Sequence, residues 1–164
     1  HFCVLWESMG EEWTKAWFAD IKARGVKIMN GNAAVRDVVA SGGCLMGYTD
    51  TDDYFEAVDK GKRISGAPAR VQGKTICIPN TVGIIKGTPR SAAARKLVDY
   101  LLSEVTEVAL ANSASRQIPL GAVNADRLPQ EVRELTQFVK DGYPLGGLLE
   151  VRTKVIAWLK EEGM

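Results

Sequence analysis

Twice within the first 61 residues the chain passes from a short apolar stretch through a polar turn into an amphipathic helix pattern, and this repetition limits the folds open to it. In the first instance Val26, Ile28 and Met29 are followed by Asn30-Gly31-Asn32, and Val35, Val38 and Val39 then recur at helical spacing up to Ser41-Gly42-Gly43. In the second, residues 44–48 lead through Thr49-Asp50-Thr51-Asp52-Asp53 into a helix that carries Phe55 and Val58 and stops at Gly61. Two consecutive strand–turn–helix units predict an α/β layer with parallel strands, in which ligands gather beyond the C-terminal strand ends. Both polar turns would then lie at one end of the layer, with Asn32 as the helix cap.

The remaining pattern extends that expectation. Trp13, Trp17, Phe18 and Ile21 predict a helix from Glu11 to Arg24. Residues 62–73 read as a Gly-, Pro- and Arg-rich crossover, and residues 74–86 are β-branched and strand-like, broken by Pro79-Asn80. Thr88-Pro89 opens a helix through Ala94, Leu97, Val98, Leu101 and Leu102; further helices are expected over 105–112, 129–140 and the C-terminal stripe of Leu148, Val151, Val155, Ile156 and Leu159. Residues 115–120 look extended. The organisation expected is an α/β lobe over 1–61, a crossover with a strand pair, a helix and a return strand over 62–120, and C-terminal helices over 121–164.

Charge and composition exclude several classes of partner. The 21 basic and 20 acidic residues are interspersed and give a formal charge of +1, so no basic footprint for nucleic acid or an anionic membrane exists. No apolar run is long enough to cross a bilayer, and no basic-then-apolar export segment is seen. Cys3, Cys44 and Cys77 are too widely spaced for a zinc motif, and Cys77, between Ile76 and Ile78, reads as a buried inert thiol. His1 is the sole histidine, so no Ser/His or Cys/His arrangement can be assembled. Neither an enzyme nor a cofactor is expected.

Four segments taken together carry a family likeness: residues 25–37, with Asn30-Gly31-Asn32-Ala33-Ala34-Val35-Arg36-Asp37; residues 47–53, Gly47-Tyr48-Thr49-Asp50-Thr51-Asp52-Asp53; residues 78–87, with Ile78-Pro79-Asn80-Thr81-Val82-Gly83; and residues 113–120, with Ser115-Arg116-Gln117-Ile118-Pro119-Leu120. In order and spacing they resemble the latter half of ferric-ion-binding-type solute-binding proteins of bacterial ABC importers, from about Trp13 to Leu120 and more loosely beyond. The resemblance implies part of a type 2 periplasmic-binding fold, a parallel or mixed sheet flanked by helices, here completed by oligomerisation. It also implies a small charged solute as ligand, of the iron or phosphate/phosphonate class, and an ABC permease as partner of a full-length receptor. The compartment implied is the periplasm, while the lack of an export segment in these residues leaves the cytoplasm open. In iron-binding members two adjacent tyrosines hold the metal; Asp52 and Asp53 stand at the matching positions here, which leaves the metal unassigned. Asn32 and Asp50 match positions that hydrogen-bond the ligand or its accompanying anion.

The residues themselves set the chemistry of such a site. Asp50, Asp52 and Asp53 repel one another unless a cation, helix amides or other donors hold them. One account is purely structural: Asp50 or Thr51 caps the helix and the other acids favour its positive end. The other is ligand contact through Asn32, Thr49, Asp50, Thr51, Asp52 and Asp53, with Asn80, Arg116 and Gln117 on crossing segments as further contacts. An anion would sit on helix amides near Asn32 and an amine or metal on the aspartates, so a zwitterion satisfies both turns. A calcium loop is excluded, because Tyr54 takes a ligand position and Gly61 stands where a glutamate is needed. The rival expectation is an oligomeric interaction protein without transport function, in which a homo-oligomer or domain-swapped dimer covers open strand edges.

Overall fold

The computed structural model describes residues 1–164. It corrects the α/β expectation: helices hold 52% of the residues and strands 3%, in one two-stranded sheet, so neither a parallel or mixed sheet nor a type 2 periplasmic-binding fold is present. The helices fall close to their expected positions, as α1 (Phe2–Met9), α2 (Glu11–Ala23), α3 (Asn32–Ala40), α4 (Thr51–Asp59), α5 (Ser91–Leu101), α6 (Glu104–Ala111), α7 (Gln130–Lys140) and α8 (Leu148–Glu161). The expected strands over 26–29 and 44–48 do not form, and over 74–86 only Lys74–Thr75 does. The reason is physical: a helix closes its hydrogen bonds within itself, whereas a strand needs a neighbour to take its ladder. Apart from Lys74–Thr75, these segments carry no regular secondary structure.

The chain divides into two compact units. The first comprises His1–Gly31, Ala67–Cys77 and Asp141–Met164 and holds α1, α2 and α8 with a hairpin of β1 (Arg70–Val71) and β2 (Lys74–Thr75). Gly10, at φ 88°, lets α1 end and α2 begin within one residue, a conformation that costs glycine nothing. The core is aromatic: Trp6, Phe18, Val155 and Trp158 are buried, with Phe2, Trp17, Ile21 and Val151 packed around them. The hairpin is tied down by the Gln72 amide, which donates to Ser8 O at 3.0 Å, and by Thr75, whose backbone pairs with Asp141 and Tyr143 at 2.9 and 2.7 Å.

The second unit comprises Asn32–Gly66 and Ile78–Lys140. Val108 and Ala111 of α6 pack on Leu128 and on Val132 of α7, with Ile118 and Val123 beside them. Loops are held by charge as much as by apolar contact. Glu107 accepts the backbone N–H groups of Leu120 and Gly121 at 3.0 and 3.1 Å. Arg116 reaches across the unit: its guanidinium grips both oxygens of Asp59 at 2.7 and 2.9 Å, donates to Glu131 at 2.8 Å and lies 5.1 Å from the Phe55 ring centre. Such a forked, ring-backed arginine fixes the end of α4 against the start of α7.

Candidate functional site

The two polar turns singled out from the sequence meet in the second unit, where α3 and α4 pack together. Asn32 opens α3 and its amide donates to Asp50 Oδ2 at 2.5 Å, while the Thr49 hydroxyl donates to the Asn32 carbonyl at 3.2 Å. Asp50 stands at the N-cap position of α4, yet its carboxylate makes no capping bond. The structural account in which Asp50 caps the helix therefore does not describe its side chain. Thr51 is exposed as the first residue of α4. Asp52 and Asp53 follow in the first turn and, with Glu56, Ala114 and Ser115, line an open hollow of about 260 Å³.

The hollow is acidic. Arg36 is 10% exposed and distributes its charge among three carboxylates: Asp37 at 2.9 Å, Asp53 at 2.8 Å and Glu56. Lys60 holds Glu56 at 2.5 Å. Lys60 and Arg36 hold Glu56 below its ordinary value, whereas the three aspartates that open α4 are shifted in opposite directions. Burial and the neighbouring Asp50 carboxylate push Asp52 above the ordinary carboxylate range, and Asp53 likewise in spite of Arg36. Burial also acts to raise Asp50, but the hydrogen bonds from Asn32, Asp53 and Asp52 outweigh it and hold Asp50 low. The three aspartates therefore share protons as a set rather than titrating singly.

This arrangement fixes the sign of a pH effect. A carboxyl raised in the folded state contributes stability that is present below its unfolded pKa and is lost as pH rises through the folded value. Asp52 and Asp53 follow that rule, whereas Asp50 contributes stability that is lost only as pH falls through its depressed value. Asp52→Asn is accordingly expected to raise stability at neutral pH by about 0.5 kcal/mol, discounted because the carboxyl is only partly buried. It should also flatten the decline in melting temperature as pH rises above the ordinary carboxylate value of about 4. A parallel displacement of the whole pH profile, with its slope unchanged, would contradict the shared-proton account.

The other candidates lie elsewhere in the same unit. Arg116 spends three donors on Asp59 and Glu131, and Asn80 donates to Gln117 at 2.8 Å, so these three are engaged with protein groups. Ser115, next to Arg116, does reach the hollow, and its hydroxyl lies 2.8 Å from that of Ser113. Arg36, Glu56 and Ser115 were not among the residues expected at the site. Glu56 carried a local signal, being three and four residues beyond Asp53 and Asp52 on one helix face. No group of three or more His, Cys, Asp or Glu side chains is arranged to hold a metal ion.

No helix is long and apolar enough to cross a membrane. Neither a protein-family model nor a curated protein nor a solved structure matches the chain.

Proposed function

We propose that this chain is a binding module for a small solute bearing a positively charged amine, held at the hollow between α4 and the 113–115 turn. The observation that carries the reading is the Asn32–Asp50 hydrogen bond, which draws both polar turns to one place beside Asp52, Asp53 and Glu56. An ammonium group there offsets both the burial and the neighbouring Asp50 carboxylate that raise Asp52 and Asp53. At about 260 Å³ the hollow falls below the usual volume for drug-sized ligands, which favours a compact molecule. A zwitterion fits best: its amine faces the carboxylates, and its acidic end meets the N-terminal amides of α3 next to Asn32. The likeness of segments 25–37 and 47–53 to importer receptors supports a solute-binding role and adds amino-phosphonates to amino acids as candidate ligands. Ferric ion is disfavoured by the lack of a ligand set.

Thermal-shift and calorimetric titration with amino acids, amino-phosphonates, inorganic phosphate and ferric citrate provides the test. An amine-bearing zwitterion at a hundred times its Kd should stabilise the chain by about 2.7 kcal/mol. The double substitution Asn32→Ala with Asp50→Ala should remove that stabilisation and leave the helical signal in place. Stabilisation by inorganic phosphate alone, or by none of these solutes, refutes the reading.

A further inference from the structure

We propose that Arg116 is the positioning residue of the solute site, its clamped left-handed backbone holding Ser115 as a hydrogen-bond acceptor across the hollow from Asp52 and Asp53. The proposal rests on the solute reading above and adds to it what fixes the second wall of the hollow.

Arg116 sits at φ 43°, in the left-handed region that glycine enters freely and that residues with a long side chain seldom adopt. An arginine there requires a compensating hold, and its own side chain supplies one. The guanidinium takes both Asp59 oxygens and one Glu131 oxygen and lies against the Phe55 ring. Backbone strain persists where the surroundings enforce it, and such positions gather at ligand sites. Two of the anchors, Phe55 and Asp59, belong to α4, the helix whose Asp52, Asp53 and Glu56 form the acidic wall of the hollow. The clamp therefore ties the residue beside Ser115 to the same rigid element that carries the opposite wall, and the gap between the walls is set by Arg116.

The turn also fixes the hydrogen-bonding sense of Ser115. Arg116 N donates to Ser113 O at 3.1 Å and Gln117 N to Leu110 O at 3.4 Å, which closes the turn onto the end of α6. The Ser113 hydroxyl has one proton and gives it to the Leu110 carbonyl at 2.7 Å. The Ser115 hydroxyl, 2.8 Å from it, must then be the donor of that pair, and its oxygen is left with lone pairs to accept. A neutral acceptor across from carboxylates suits an ammonium group, which carries donors only. Because it is held in advance, little ordering remains to be done when the solute arrives.

A cysteine at position 115 reports its surroundings without any solute. Ser115→Cys is treated with an ammonium-bearing and with a sulfonate-bearing methanethiosulfonate, and modification of residue 115 is read by peptide mass, apart from Cys3, Cys44 and Cys77. The acidic wall should favour the cationic reagent roughly tenfold at low salt. Adding Arg116→Gly, which keeps the left-handed turn accessible but removes the clamp, or Asp59→Asn, which opens the fork, should bring that preference towards parity. Simple charge cannot do this in both, because losing the arginine makes the surroundings more negative and losing the aspartate makes them less so. Circular dichroism reports folding, and should Arg116→Gly unfold, Asp59→Asn at an exposed carboxylate still decides the matter. Calorimetric titration with glycine and with aminomethylphosphonate should show affinity about tenfold weaker in both variants. No cationic preference in Ser115→Cys overturns the proposal, as does a preference that persists in the folded variants or a loss of stability with affinity unchanged. If neither solute binds the wild type but the cationic preference collapses as expected, the solute reading fails and the positioning of Ser115 by Arg116 stands.

Discussion

Trp158→Ala is expected to cost about 3–5 kcal/mol and to abolish the cooperative unfolding of the first unit, because no other side chain can fill the space it leaves. Trp158 is 7% exposed, and its ring centre lies 5.4 Å from those of Trp6 and Phe18 and 5.8 Å from that of Phe2. The contacts to Phe2 and Phe18 are edge-to-face, which adds to plain burial. The ring therefore touches aromatic side chains of both α1 and α2 from α8 and stands at the centre of the cluster they share. Trp13 offers a matched control: it is 42% exposed and stacks on Trp17 with ring centres 6.2 Å apart. Trp13→Ala should cost about 1 kcal/mol or less. Urea unfolding followed by circular dichroism separates the two; equal losses would show that the aromatic cluster does not hold this unit together.

The same helices show what the chain declares locally and what it does not. The stripe of Val151, Val155 and Leu159 foretold α8, because a helix satisfies its own backbone and needs only one apolar face. That stripe did not single out Trp158, and it included Ile156, which is 36% exposed. α1 went unread, since Phe2, Val4 and Trp6 alternate in a way that suits strand as well as helix. The strands failed for the opposite reason to the helices' success. Leu45 and Met46 and the run from Ile78 to Ile85 have the composition of strands, but composition cannot supply a neighbour, and these segments stay irregular and largely exposed. Cys77 is half-buried, with its thiol pushed up by burial, in keeping with an unreactive side chain. At the site, Asn32 and Asp50 were legible because each ends a polar turn ahead of a helix. Ser115 was not, because it arrives from a distant segment, and Arg116 could not be separated from a ligand contact until Asp59 and Glu131 were seen to hold it.

Gly47 explains how the two turns are brought together, and its replacement is the second large effect expected. A Cβ at this position would overlap Val35 Cγ1 and stand 3.2 Å from Val39 Cγ2. Val35 and Val39 are four residues apart on one face of α3, so the chain at Gly47 crosses that face with its backbone in close contact, leaving no room for a side chain. Two residues later Thr49 bonds the Asn32 carbonyl, and Asp50 then receives the Asn32 amide. Gly47→Ala must lift the chain off α3, at about 1–3 kcal/mol for an overpacked contact, and it should carry Thr49 and Asp50 away from Asn32. Stability and solute-induced stabilisation should therefore fall together. Trimming the opposing side chain distinguishes this from a general loss of folding: Val35→Ala removes the methyl that Gly47→Ala strikes. The double variant should accordingly be more stable than the sum of the single losses allows, by about 0.5 kcal/mol or more, and should recover part of the solute response. Strictly additive losses would mean that the contact between the chain at residue 47 and α3 does not set the distance between the turns, and that Asn32 and Asp50 are held together by their own hydrogen bond alone.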